Sequence, residues 1–177
     1  AAECTNFEER MNAPIHTNRW MRVLGQIRKW VPSAWQPTAI SLAVGSSVKM
    51  VGAAGIKFEK FSENEVTLHL RNRLRVQNHL GGVHAAATAL AAECATGTVL
   101  ALNLSDNSIM LLKSMKVDYL RMARGDIRAT ATLRPEQIQM ARSERKGEVT
   151  VDVRVTDSDG AEPVAATMTW AWVPRRA

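Results

Sequence analysis

The chain has little cysteine and little aromatic side chain, and both shortages narrow its chemistry. Two cysteines in 177 residues, Cys4 and Cys94, form neither a metal-binding spacing nor a disulfide framework; this usage fits a reducing cytoplasm. Aromatic residues make up 5% of the sequence, with no RNA-binding aromatic motif and no zinc-finger spacing. Nucleic acid is therefore not an expected partner, although the net charge is +6. The basic residues are spread along the chain, and a phosphate-bearing small molecule accounts for them equally well. No stretch approaches the roughly 18 consecutive apolar residues of a membrane-spanning helix, and no secretory signal is expected. A phosphate-binding Walker loop and a G-x-S-x-G nucleophile elbow are both missing. The histidines at 16, 69, 79 and 84 are scattered, so no metal centre is expected. There are no internal repeats and no linkers.

What is present is enough apolar sequence, 46%, for one substantial core. Residues 1–17 read as irregular. Trp20, Val23, Leu24, Ile27 and Trp30 recur at helical spacing over residues 18–30, and Pro32 ends that segment. Arg19, Arg22, Arg28 and Lys29 would suit a membrane surface, but packing on the domain is the simpler expectation. A second helix is predicted from Pro37 to about Val51. From Ile56 the period changes to two. IKFEKF and EVTLHL flank Ser62-Glu63-Asn64 as a hairpin. An alanine-rich helix follows over residues 83–96 and is expected to stop at Gly97. Strands are then predicted over 98–104, 109–120 and 126–133. A short helix from Pro135 to about Ser143 precedes a closing hairpin over 148–156 and 163–173. This order reads as α+β: a curved antiparallel sheet wrapped around one central helix. Residues 1–55 are expected to form an N-terminal helical extension packed on a domain of residues 56–177.

The stretch NHLGGVHAAATALAAECATG, residues 78–97, is the most informative. Alanine gives it high helix propensity, and small side chains allow close packing, so the helix should be enclosed. It carries one acid, Glu93, and an unpaired buried carboxylate is costly. Glu93 is accordingly a candidate general base acting on water. His84 falls at the helix start, beside backbone N–H groups that suit a developing oxyanion. Cys94 reads as an apolar filler.

Asn78, Gly81, His84 and Glu93 fit N-x-x-G-x-x-H with an acid nine residues further on. The pattern resembles the hot-dog-fold acyl-CoA thioesterases of the phenylacetate-pathway and thioesterase superfamily member 2 types, closest to an uncharacterised bacterial branch, over roughly residues 56–173. The resemblance implies a thioester hydrolase that uses neither metal nor redox cofactor, with coenzyme A entering only as part of the substrate. It implies that Asn78 orients water or thioester, that the Ala85 N–H is the oxyanion donor, and that Gly82 lies at the substrate. Ala85 and Ala86 stand where the family carries two glycines. Tyr119-Leu-Arg-Met-Ala-Arg-Gly-Asp126 is similar to a turn in the same proteins. It makes Arg121 and Arg124 candidates for coenzyme A phosphates, with Lys113 and Lys116 weaker ones. A hot-dog enoyl-thioester hydratase or dehydratase, and a non-catalytic acyl-thioester binding module, are the alternatives.

Nine helical residues advance about 13.5 Å and turn about 900°, half a turn out of register. His84 and Glu93 of one chain cannot then address one carbonyl. A homodimer with sites shared across its two-fold axis is expected, with a tetramer as a dimer of such dimers.

Overall fold

The computed structural model describes residues 18–175; the expectations for residues 1–17, Cys4 and His16 lie outside them. Helix α1 (Arg19–Trp30) is capped by the buried Asn18, whose side-chain oxygen accepts from the Met21 N–H. It turns Leu24 into the core and lays Trp20, Met21 and Ile27 against it. Helices α2 (Gln36–Ser47) and α3 (Lys49–Ala54) follow. The sequence predicts one helix here; the structure breaks it at Val48, which is extended. The break folds α3 back on α2 so closely that a Cβ on Gly52 would meet the Gly45 carbonyl oxygen at 2.6 Å. Tertiary packing of two glycines thus decides what helical period alone could not.

Strands β1 (Lys57–Phe61), β2 (Glu65–Leu70), β3 (Ser108–Tyr119), β4 (Ile127–Thr132), β5 (Gly147–Asp157) and β6 (Val164–Pro174) form one antiparallel sheet in the order β1-β2-β4-β5-β6-β3. The alternation read from the sequence is the burial pattern found. Val66, Leu68 and Leu70 of β2 and Ile127, Ala129 and Ala131 of β4 are fully buried on one face, as a half-solvated antiparallel sheet requires. Helix α4 (Ala85–Ala101) lies on that face with Ala91, Ala92 and Ala95 completely buried. Alanine on both sides of the β4–α4 contact brings the helix axis close to the sheet. Helix α5 (Pro135–Ser143) begins at the predicted proline. This is the α+β hot-dog architecture that the resemblance implies, with additional N-terminal helices.

A second expectation fails. Gly97 does not stop the central helix, and residues 98–104 are not a strand: α4 runs on to Ala101, leaving four strands after it rather than about five. Gly97 is there for space. A Cβ at this position would come within 2.8 Å of the Trp170 indole. That indole is itself buried and donates from Nε1 to Thr96 Oγ1 at 3.0 Å. The Thr96 hydroxyl in turn bonds back to the Ala92 and Glu93 carbonyls at 3.0 and 2.9 Å. Thr96-Gly97-Thr98 reads as a helix end by composition, but Thr96 and Gly97 serve the helix–sheet contact.

The two sheet edges differ. At β1, α2 lies alongside, and Ser41 Oγ accepts the Phe58 N–H at 2.9 Å. The β3 edge has no strand beyond it among the described residues, and Ile109, Leu111 and Met115 are exposed along it.

Gly97→Ala should lower unfolding free energy by about 1–3 kcal/mol, the cost of forcing an extra methyl into a filled core. The chemical-denaturation midpoint measures it. An unchanged midpoint would mean that Trp170 can move aside.

Candidate functional site

The two stretches singled out in the sequence lie together in the fold. Asn78 builds the first. Its Oδ1 accepts the N–H groups of Leu80 and Gly82 at 2.9 and 3.2 Å, and its own N–H donates to the Gly82 carbonyl at 2.8 Å. The turn passes through Gly81 with φ of 78°, a left-handed conformation that glycine adopts freely. A bridge between Gln77 and Val83 closes the loop, and the His84 N–H donates to the Val76 carbonyl at 2.8 Å. The Asn78 oxygen is thereby committed to the loop, while its amide NH₂ has no partner among the described residues.

His84 is the N-cap of α4, and its Nδ1 accepts the Ala86 N–H at 3.0 Å. In the neutral ring the proton then sits on Nε2, and the exposed side chain offers a donor outward. The Ala85 N–H is one of the helix-terminal donors with no intrahelical acceptor. The second stretch arrives here: the Tyr119 hydroxyl at the end of β3 donates to the Ala85 carbonyl at 2.7 Å. Around Gly82 the nearest neighbours of a Cβ would be the Ala123 carbonyl and the Asn78 amide.

A polar chain that sequence reasoning missed holds the loop from behind. Asn72 donates from Nδ2 to the Gly81 carbonyl at 3.0 Å and from its backbone N–H to Asp126 Oδ1 at 2.8 Å. Asp126 Oδ2 lies 2.8 Å from His69 Nε2, and the other ring nitrogen is 3.5 Å from a Glu59 oxygen. Glu59 also holds Arg128 through two hydrogen bonds. Burial pushes the Asp126 carboxyl up, but the Asn72 N–H and His69 outweigh it and hold it below the usual carboxylate range. The available signal was the strand period, which puts His69 on the face of β2 opposite the buried Leu68 and Leu70.

Glu93 sits elsewhere on α4. It is half-buried and lines an apolar cavity of about 160 Å³ with Val44, Met110 and Trp170. Its carboxylate has neither a hydrogen bond nor an ion pair among the described residues, and burial raises its pKa above 4.5. The neighbouring Cys94 is buried with its thiol pushed up to about 12 by desolvation, so it is no nucleophile at neutral pH. His84 lines a different hollow, with Met50, Arg75 and Leu90. One chain does not bring His84 and Glu93 together.

Arg121 pairs with Asp157 at 3.2 Å, and the Asp157 carboxylate is fully enclosed. Asp157 also accepts the N–H groups of Arg124, Asp159 and Ala161, tying the Gly125 turn to the β5–β6 turn. Burial raises its carboxyl; the three N–H groups and Arg121 overcome that and hold it low. Arg121 is therefore committed to structure, whereas Arg124 reaches Asp159 only at 3.4 Å and is 75% exposed. Lys113 pairs with Glu148 and Lys116 with Asp118. Among the described residues, no cluster of His, Cys, Asp and Glu could hold a metal ion, and no helix is long and apolar enough to cross a membrane.

The raised Glu93 pKa has a stability consequence of definite sign. Folding favours the protonated acid, so its contribution is fully present below the unfolded value and is lost as pH rises through the folded one. Glu93→Gln should raise the thermal midpoint at neutral pH. The gap to wild type should narrow as pH falls toward 4.5, the ordinary value. A gap independent of pH would show that the carboxylate is paired in solution.

Comparison with solved structures places this fold among known ones. The Pseudomonas aeruginosa protein PA5026, named a probable thioesterase, superposes with a TM-score of 0.68 at 22% identity, covering 76% of this chain and 93% of its own. Thioesterase HI1161 of Haemophilus influenzae gives 0.60 at 16%, with coverage of 78% and 90%. A mutant form of thioesterase PA1618 of Pseudomonas aeruginosa gives 0.60 at 21%, with 82% and 97%. No curated protein matches in sequence. The model of a domain of unknown function, DUF4442, matches residues 37–173: the chain belongs to the DUF4442 family and has the hot-dog fold of these thioesterases.

Proposed function

We propose that this protein is an acyl-CoA thioesterase in which Glu93 activates water. The observation that carries the reading is an unpaired, half-buried carboxylate of raised pKa lining an apolar cavity on the central helix. Such a group is costly to keep, and general-base work at near-neutral pH is what a raised carboxyl pKa suits. In the reaction, the water oxygen bonds to the thioester carbonyl carbon as its proton passes to Glu93. The resulting oxyanion is held by the Ala85 N–H at the helix terminus, with His84 Nε2–H and the Asn78 NH₂ nearby. The C–S bond then breaks, and the proton on Glu93 goes to the departing thiolate. Water is the only co-reactant.

The oxyanion donors and the base come from different subunits of a homodimer. Two features support this: the separation of His84 from Glu93 along α4, and the bare β3 edge with its exposed Ile109, Leu111 and Met115. An unpaired strand edge of this kind is a template for pairing with a second copy. Arg124, with its guanidinium mostly free, is the better of the two arginines for the coenzyme A phosphates.

Glu93→Gln should cost about 10²–10⁴-fold in kcat with KM little changed, read as thiol release from a panel of acyl-CoAs. Hydrolysis at the wild-type rate in this variant would place the base elsewhere. Hydration of an enoyl-CoA without thiol release would select the hydratase alternative, and ligand binding without turnover the binding module.

Mixing inactive Glu93→Ala and His84→Ala chains should restore activity, because each heterodimer contains one intact site. A folded, well-mixed heterodimer with no regained turnover would remove the shared site.

A further inference from the structure

The cavity that holds Glu93 is closed on one side by the N-terminal helices. Trp20 comes from α1, Val44 from α2 and Val48 from the α2–α3 junction; Gly97, Met110 and Trp170 complete the opposite walls. The first three belong to the helical extension, outside the sheet and its central helix.

That extension is fastened to the central helix at a defined point. The Asn18 side-chain NH₂ donates to the carbonyls of Ala101 and Leu104 at 2.8 and 2.7 Å, while its oxygen caps α1. One buried amide thus satisfies the end of α4 and the start of α1. Asp106 repeats the attachment, accepting the Arg19 N–H and an Arg22 guanidinium N–H, both at 2.7 Å. Trp20 follows on this anchor, which holds the backbone from which its indole reaches the cavity.

We infer that Trp20, Val44 and Val48 set the acyl-chain length this protein accepts, and that its ligands are thioesters of short hydrocarbon acids. The inference rests on the reading of Glu93 as the base, since that places the thioester carbonyl at this cavity with the acyl chain inside it. The size follows from the volume. A cavity of about 150 Å³ takes one benzene ring, and this one is about 160 Å³. That volume corresponds to about six carbon atoms, and Trp20, Val44 and Val48 are the side chains that the extension contributes to its lining.

The test is calorimetric titration of the full chain with S-butyl, S-hexyl, S-octyl and S-dodecyl coenzyme A, thioethers that cannot be hydrolysed. Wild-type affinity should rise about fourfold per methylene up to hexyl and gain nothing beyond it. Trp20→Ala should extend the rise to octyl or dodecyl. Val48→Phe, at an exposed position where a larger side chain is easily carried, should end it at butyl and does not depend on tolerating a lost indole. Affinities indifferent to chain length, or the same cut-off in all three proteins, would overturn the inference. A chain-length cut-off that moves with the variants, in a protein that hydrolyses no acyl-CoA, would leave this wall standing and remove only the thioesterase reading.

Discussion

The contact of Trp170 with Gly97 fixes how the central helix lies on the sheet. The indole fills the space a side chain at 97 would need and bonds to Thr96. Thr96 turns that bond back into the helix through the Ala92 and Glu93 carbonyls. Rotating α4 about its axis would bring a methyl where a glycine is required. The direction in which Glu93 leaves the helix is thus set within a turn of the carboxylate itself. The alanines of α4 and β4 bring the helix in; Trp170 sets its rotation.

Much of this architecture was legible in the sequence because each element carries its own period. The β1–β2 hairpin, the long β3, the proline-started α5 and the closing hairpin all follow from alternation and turn chemistry. Glu93 stood out for a related reason: one acid in an alanine helix violates the expected pattern of burial. The failures occurred where distant contacts override local composition. Thr96-Gly97-Thr98 looks like a helix end because threonine and glycine are poor helix formers, and only the Trp170 ring explains Thr96 and Gly97. The α2–α3 break at Val48 likewise depends on Gly45 meeting Gly52.

The polar residues divide in the same way. His69 and Asn72 carry no motif, and their roles exist only because β2, β4 and the Asn78 loop converge on Asp126. Arg121 is a charge near a Gly-Asp turn in the sequence. In the fold it is the partner of an enclosed carboxylate. No local pattern announces that Asp157, at the far end of β5, is the group it faces; strand pairing decides that. Spacing can nominate charged residues but cannot tell a free one from a committed one.

Asn18 separates two jobs that one residue could have carried. It attaches α1, and its near neighbour Trp20 lines the cavity. Residue 20 can change size while the bonds from Asn18 to Ala101 and Leu104 stay in place, because they do not pass through the indole. The central helix and the sheet can stay as they are while the extension, replaced or reshaped one side chain at a time, presents a different wall.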